Sequence, residues 1–302
     1  MRVGAVDCGT NSIRLLVADV EGDRKTDVHR EMRVVRLGQG VDRTGELAPE
    51  ALERTRRALV DYAATCAELG AERVRMVATS ATRDARNRHG FTSMVRGVLG
   101  VDPEVVSGDE EAALSFDGAT RGLDPAQGPF LVMDIGGGST ELVLGTSSPQ
   151  SALSVDVGCV RLTERHLLDD PPTRAQVAAA EADVDAAIAR VREVVPVEQA
   201  RTAVGLAGSV TTVAAVALGL EAYDAERIHL SRIGAADVAA VTAELLAMTR
   251  AGRAALPVMH PGRVDVIGAG ALVLATLVDR LGLAEVVVSE ADILDGIAWS
   301  VA

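Results

Sequence analysis

The chain predicts an α/β fold with a duplicated core, and three observations lead there. Strand-like and helix-like segments alternate along both halves. Apolar residues make up 48% of the 302, ample for a buried core, while aromatics are only 2%, so aliphatic side chains and alanine must fill it. One unusual hairpin also occurs twice. "VDCGTNSIRLLVADV" (6–20) matches "MDIGGGSTELVLGTS" (133–147): Asp7 lies over Asp134, Gly9 over Gly136, Ser12 over Ser139 and Leu15 over Leu142. Both copies read apolar run, Asp-x-Gly-x-x-Ser, charged residue, apolar run, which is the pattern of a β-hairpin with a bare tip.

The remaining elements follow in order. Residues 30–41 look like a strand ending in a glycine turn. Residues 49–69 have helical spacing, with Pro49 near the start and Gly70 just past the end. A strand spans 73–82, and a helix follows Ser80, which is placed as its N-cap. "PEVVSGDEEAALSF" (103–116) reads as strand, turn and helix start. "GLDPAQGP" (122–129) carries Pro and Gly twice and marks the boundary between domains 1–126 and 127–302. The second half opens on its hairpin and continues with a strand-like stretch over 151–167. An alanine-rich helix is expected over 174–193, and strand, glycine turn and helix over 202–218. Helices near 235–250 and 263–283 precede a final strand and helix over 285–299.

Composition excludes several functions. The net charge of −13 argues against nucleic-acid binding. Lys25 is the only lysine and sits in "GDRKTD", so there is no Walker A loop and no Schiff-base lysine. Cys8, Cys66 and Cys159 are far apart and odd in number, which argues against a disulfide framework. The five histidines are scattered, so a zinc cage is not expected. The N-terminal apolar run is too short for a signal peptide, and no stretch has the length of a membrane span. The expectation is a soluble cytoplasmic protein.

Why is the hairpin tip so bare? Tight hairpins use glycine and asparagine in any case, and one hairpin alone would leave that reading open. Two matching tips, each led by an aspartate, point further. Bare tips let successive peptide N–H groups converge on an anion. An aspartate beside a phosphate repels it unless a divalent metal lies between, and magnesium takes one or two carboxylates plus phosphate oxygens and water. Glycines for phosphate and carboxylates for metal therefore explain each other.

Other residues carry two readings. Ser107-x-x-Glu110 reads as a capping box, which gives Glu110 a structural task. Glu111 lies about 100° round the helix and cannot share that cap. It is either a solvated first-turn glutamate or a base. Arg83, in the first turn after Ser80, suits a phosphate or a solvated helix face, and Arg14 is in the same class. "GLAGSVTTV" (205–213), with Gly208 and Ser209, can hold a base, a ribose or a phosphate, or can be helix capping with close packing.

"DCGTNSIRLLVADV", "ATSATRDARN", "SGDEEAALSF" and "MDIGGGSTELV" resemble, in order and spacing, the exopolyphosphatase/guanosine pentaphosphate phosphatase family. The paired hairpins and "GLAGSVTT" resemble the phosphate and adenosine loops of the sugar kinase/heat-shock/actin superfamily. The arginine bias and the N-terminal third are most similar to the family's short actinobacterial members. The resemblance implies two actin-like (ribonuclease H-like) domains with an interdomain cleft, and magnesium-dependent hydrolysis of the terminal phosphoanhydride of inorganic polyphosphate by a homodimer. It places the catalytic glutamate on Glu111 and the metal carboxylates on Asp134, Glu141 and Asp7. Phosphate positions fall on Thr10, Asn11, Ser12, Arg14, Arg83, Gly136, Gly137, Gly138 and Ser139, with Gly208 and Ser209 as further substrate contacts. Two departures stand out. The chain stops after "DGIAWSVA", with no C-terminal HD-type domain, so a preference for shorter chains is expected. Leu294 stands where the family often has an arginine. The alternatives are a guanosine pentaphosphate 5′-phosphohydrolase, or a silent sensor of polyphosphate or of guanosine tetraphosphate or pentaphosphate.

Overall fold

The computed structural model describes residues 1–22 and 24–301. In chain order, the elements up to residue 120 are β1 (Arg2–Cys8), β2 (Ser12–Glu21), β3 (Arg24–Val34), α1 (Val41–Thr44), α2 (Pro49–Glu68), β4 (Arg73–Ala78), α3 (Ser80–Asp84), α4 (Arg88–Leu99), β5 (Glu104–Val105) and α5 (Gly108–Thr120). There follow β6 (Phe130–Ile135), β7 (Thr140–Gly145), β8 (Pro149–Val155), α6 (Cys159–Arg165), α7 (Arg174–Val194), β9 (Thr202–Leu206), α8 (Ala207–Ala217), α9 (Ala225–Ile228), β10 (Arg232–Gly234), α10 (Ala235–Ala247), α11 (Arg250–Ala254), α12 (Ile267–Arg280), β11 (Glu285–Val288) and α13 (Ile293–Val301).

Two compact units result: Met1–Gly118 with Ile293–Ala302, and Ala119–Asp292. This division differs from one at 126, because α13 returns to the first unit. It covers the sheet face that Val3, Ala5, Leu16 and Ala18 present, while α2 and α4 cover the face of Val6, Cys8, Ile13 and Leu15. Alternate residues of a strand point to opposite faces, so a sheet apolar on both needs helices on both. Leu294, 1% exposed, lies in that α13 layer and is a core residue.

The sheet orders are β3-β2-β1-β4-β5 and β10-β11-β9-β6-β7-β8. In each, a hairpin of three antiparallel strands is joined through its first strand to a parallel partner, β4 or β9. The duplication read from the hairpins therefore extends to whole-sheet topology.

Four local expectations change. Residues 151–167 form a strand only to Val155; a helix begins at Cys159, because its first peptide N–H groups bond to the preceding hairpin tip. Ser80 is the first residue of α3 and not its cap, Thr79 stands at the cap, and no side chain caps the helix. No glycine turn separates β9 from α8. The helix starts at once, and the left-handed conformation falls on Ala207, φ +65°. Ser107 does cap Glu110 N–H, at 3.2 Å, but the Glu110 carboxylate goes to Arg75 at 3.0 Å instead of closing a capping box.

Candidate active site

The two hairpin tips share one backbone design. Gly9 N–H donates to Ser12 O at 3.0 Å, and Gly136 N–H to Ser139 O at 3.0 Å. In each unit the segment after the third strand ties back the tip's carbonyls. At the first tip, Asn11 O accepts from Val35 N and Arg36 N, and Thr10 O from Gly38 N at 2.8 Å. At the second, Gly136 O accepts from Cys159 N, and Gly137 O from Val160 N and Arg161 N. Arg161 Nε donates to Gly138 O at 2.7 Å. With carbonyls turned inward, the N–H groups of Thr10 and Asn11, and of Gly137, Gly138 and Ser139, find no acceptor among the described residues. Convergent N–H groups of this kind bind anions.

The glycines here are steric requirements. A Cβ at Gly158 would lie 2.5 Å from Gly137 O, so only glycine lets α6 close on the tip. The cradle of Gly38 is equally tight: a Cβ there would meet the Thr10 methyl at 2.2 Å. The hydroxyls of Thr10, Ser80 and Thr82 are buried without a hydrogen-bond partner at the carboxyl ends of β1 and β4, where most buried polar groups are paired.

Behind the second tip, Asp134 and Glu141 are direct cross-strand partners, 7% and 1% exposed. Side chains in that relation lie about 5 Å apart at Cβ, where like charges destabilise the pair. Ser154 Oγ donates to Glu141 Oε1 at 2.6 Å. Two buried, facing carboxylates fit a divalent cation that completes its shell with phosphate oxygens and water. Among the described residues no group of three or more His, Cys, Asp or Glu comes together as a metal cluster. At the first tip, Asp7 faces Arg14, and its Oδ2 accepts from Arg14 Nη2 at 2.7 Å and Nε at 3.0 Å.

Also in the first unit, Arg83 Nη1 donates to Glu111 Oε2 at 2.9 Å and to Val106 O at 3.1 Å. Glu111 is 7% exposed, in the first turn of α5. The backbone of α5 is set by α13: a Cβ at Gly296 would lie 2.0 Å from Leu114 O.

Sequence reasoning missed Arg161 and Arg263. The Arg263 guanidinium lies against Gly208, where a Cβ would come within 1.6 Å of Nη1. Ser209 is buried against Gly270 and hydrogen-bonded to Cys159. Packing thus accounts for both small residues, and neither arginine has a spacing signal. All three thiols are buried. Burial pushes Cys66 up to about 11 and raises Cys8 and Cys159, so none is a thiolate at neutral pH.

The Ppx/GppA phosphatase family model matches residues 16–302. The chain belongs to the Ppx/GppA phosphatase family. Exopolyphosphatase 2 of Mycobacterium tuberculosis is 54% identical over 314 residues, covering 100% of this chain and 98% of the relative. A crystal structure of an exopolyphosphatase-like protein superposes with a TM-score of 0.96 at 44% identity, covering 100% of this chain and 98% of that one. The Aquifex aeolicus Ppx/GppA family member superposes with a TM-score of 0.84 at 28% identity, covering 99% and 97%. The actin-like expectation for the fold agrees with these neighbours.

Proposed function

We propose that this Ppx/GppA chain is an exopolyphosphatase, hydrolysing the terminal phosphoanhydride of inorganic polyphosphate with a divalent cation. The observation that carries the reading is the second tip, with its N–H groups of Gly137, Gly138 and Ser139 backed by buried Asp134 and Glu141. The N–H groups suit anionic oxygens, and the acids would repel those oxygens without a cation between. The name of the Mycobacterium tuberculosis relative supports polyphosphate as the substrate.

In this reading water attacks the terminal phosphorus and Glu111 takes its proton. The bond from that phosphorus to the bridging oxygen breaks, orthophosphate forms, and the shortened chain leaves. Arg83 holds the Glu111 carboxylate in place. Tip N–H groups and Arg14 hold non-bridging oxygens. Asp134 and Glu141 would hold the divalent cation, which when bound would supply charge neutralisation for the transferring group. The buried thiols supply no nucleophile, and the reading is direct attack by water without a covalent intermediate.

Magnesium is the proposed cation, since two carboxylates with phosphate oxygens and water are its usual set. A cytoplasmic homodimer belongs to the same proposal and rests on family resemblance. Among the described residues no helix is long and apolar enough to cross a membrane.

Phosphate release from short polyphosphate, long polyphosphate and guanosine pentaphosphate, with and without magnesium, tests the reading. Magnesium-dependent release from polyphosphate is expected. Release from the nucleotide alone would make this an alarmone phosphohydrolase, and binding without release would make it a sensor.

A further inference from the structure

The two tips hold equivalent carbonyls by different means. Asn11 of the first tip lies over Gly138 of the second, and a serine follows each. Asn11 O accepts from two backbone N–H groups, those of Val35 and Arg36. Gly138 O accepts instead from a side chain, Arg161 Nε, at 2.7 Å. Backbone N–H groups of α6 hold the two carbonyls before it, Gly136 O and Gly137 O, the latter in part through Arg161 N at 3.1 Å. Of these three carbonyls, Gly138 O is the one held by a group that a substitution can remove.

A peptide unit is planar and trans, so its C=O and N–H point in opposite directions. Holding Gly138 O toward Arg161 therefore turns Ser139 N–H away from α6, as the bonds to Gly136 O and Gly137 O turn away the N–H groups of Gly137 and Gly138. Gly138 has no Cβ to restrict rotation of that peptide, so the partner of its carbonyl sets the direction of Ser139 N–H. We propose that Arg161 is a positioning residue for the substrate: its Nε–H bond aims Ser139 N–H at a non-bridging oxygen of the phosphate chain, and the site uses the donor and not the charge. The identity of that oxygen rests on the polyphosphate reading; the direction of the peptide does not.

Three variants separate donor from charge. Glutamine carries an amide nitrogen on Cδ, where arginine has Nε, and so keeps a neutral donor in that place. Methionine has similar length and no donor, and lysine keeps the charge but has a carbon where Nε was. Arg161→Met, Arg161→Gln and Arg161→Lys are compared in a Glu111→Gln background, so that substrate is not consumed. Calorimetry follows tripolyphosphate binding. Nuclear magnetic resonance of protein carrying isotope-labelled serine follows the Ser139 amide as inorganic phosphate is added, a signal that a merely structural role would not move. Arg161→Met should weaken tripolyphosphate binding by about tenfold or more, the scale of one hydrogen bond to a charged group, and its Ser139 amide should cease to respond to phosphate. Arg161→Gln should recover most of both, and Arg161→Lys little of either. Parent-like binding by Arg161→Met, or recovery by Arg161→Lys equal to that by Arg161→Gln, would overturn the inference. Comparing Arg161→Gln with Arg161→Lys decides it even where Arg161→Met fails to fold. A parent that does not bind tripolyphosphate, while the Ser139 amide still follows phosphate in the expected order of variants, would overturn the polyphosphate reading and support the role of Arg161.

Discussion

Arg83 and Glu111 are joined by one hydrogen bond, 2.9 Å from Nη1 to Oε2, and the same arginine nitrogen also donates to Val106 O. The guanidinium therefore fixes where the Glu111 carboxylate points. Arg83→Ala should lower kcat by about 10²-fold, the scale for a misplaced catalytic group. Arg83→Lys should recover only part of it, because an ammonium cannot hold both acceptors in one plane. Steady-state phosphate release checks this, and an unaffected kcat in Arg83→Ala would remove the arginine from the site.

Asp134 and Glu141 are buried cross-strand partners, and in the proposed reading they hold the cation. Magnesium should therefore raise the melting temperature of the wild type, since it binds the folded state alone. In Glu141→Gln that rise should vanish, together with turnover. Differential scanning calorimetry with and without magnesium measures it.

Gly158 is where α6 meets the second tip. Gly158→Ala puts a carbon against backbone, which cannot yield as a flexible side chain can, and should cost about 1–3 kcal/mol with a large loss of activity. Gly97→Ala, inside α4 with nothing within 4 Å of the new carbon, should instead stabilise the fold by roughly 0.5–1 kcal/mol. Urea unfolding of the two variants makes the comparison.

Cys8, Cys66 and Cys159 are buried thiols with raised pKa values. At pH 7 to 8 they stay protonated, so Ellman's reagent should label the native protein slowly and leave phosphate release unchanged. Full labelling on unfolding provides the count.

Much of this was legible in the sequence because it is periodic or punctuated. The hairpin repeat, Pro49 and Gly70 around α2, and the separation of Glu111 from the Ser107 cap all follow from local rules. What was not legible depends on contacts distant in sequence. Glu110 leaves its cap for Arg75 because β4 runs beside the start of α5. The helix at Cys159 was hidden because its first N–H groups are satisfied by Gly136 and Gly137, more than twenty residues back. Gly296 reads as an ordinary helix residue until Leu114 O is found against it. Arg263 has no signal at all before α12 and α8 bring it onto Gly208.

The central claim is that Glu111 is the base, and its most direct test is turnover of polyphosphate by Glu111→Gln at saturating substrate and magnesium, with substrate affinity measured alongside. The account predicts retained binding and a loss of about 10²-fold or more in kcat, the usual contribution of a general base. Near-normal turnover by Glu111→Gln would contradict it.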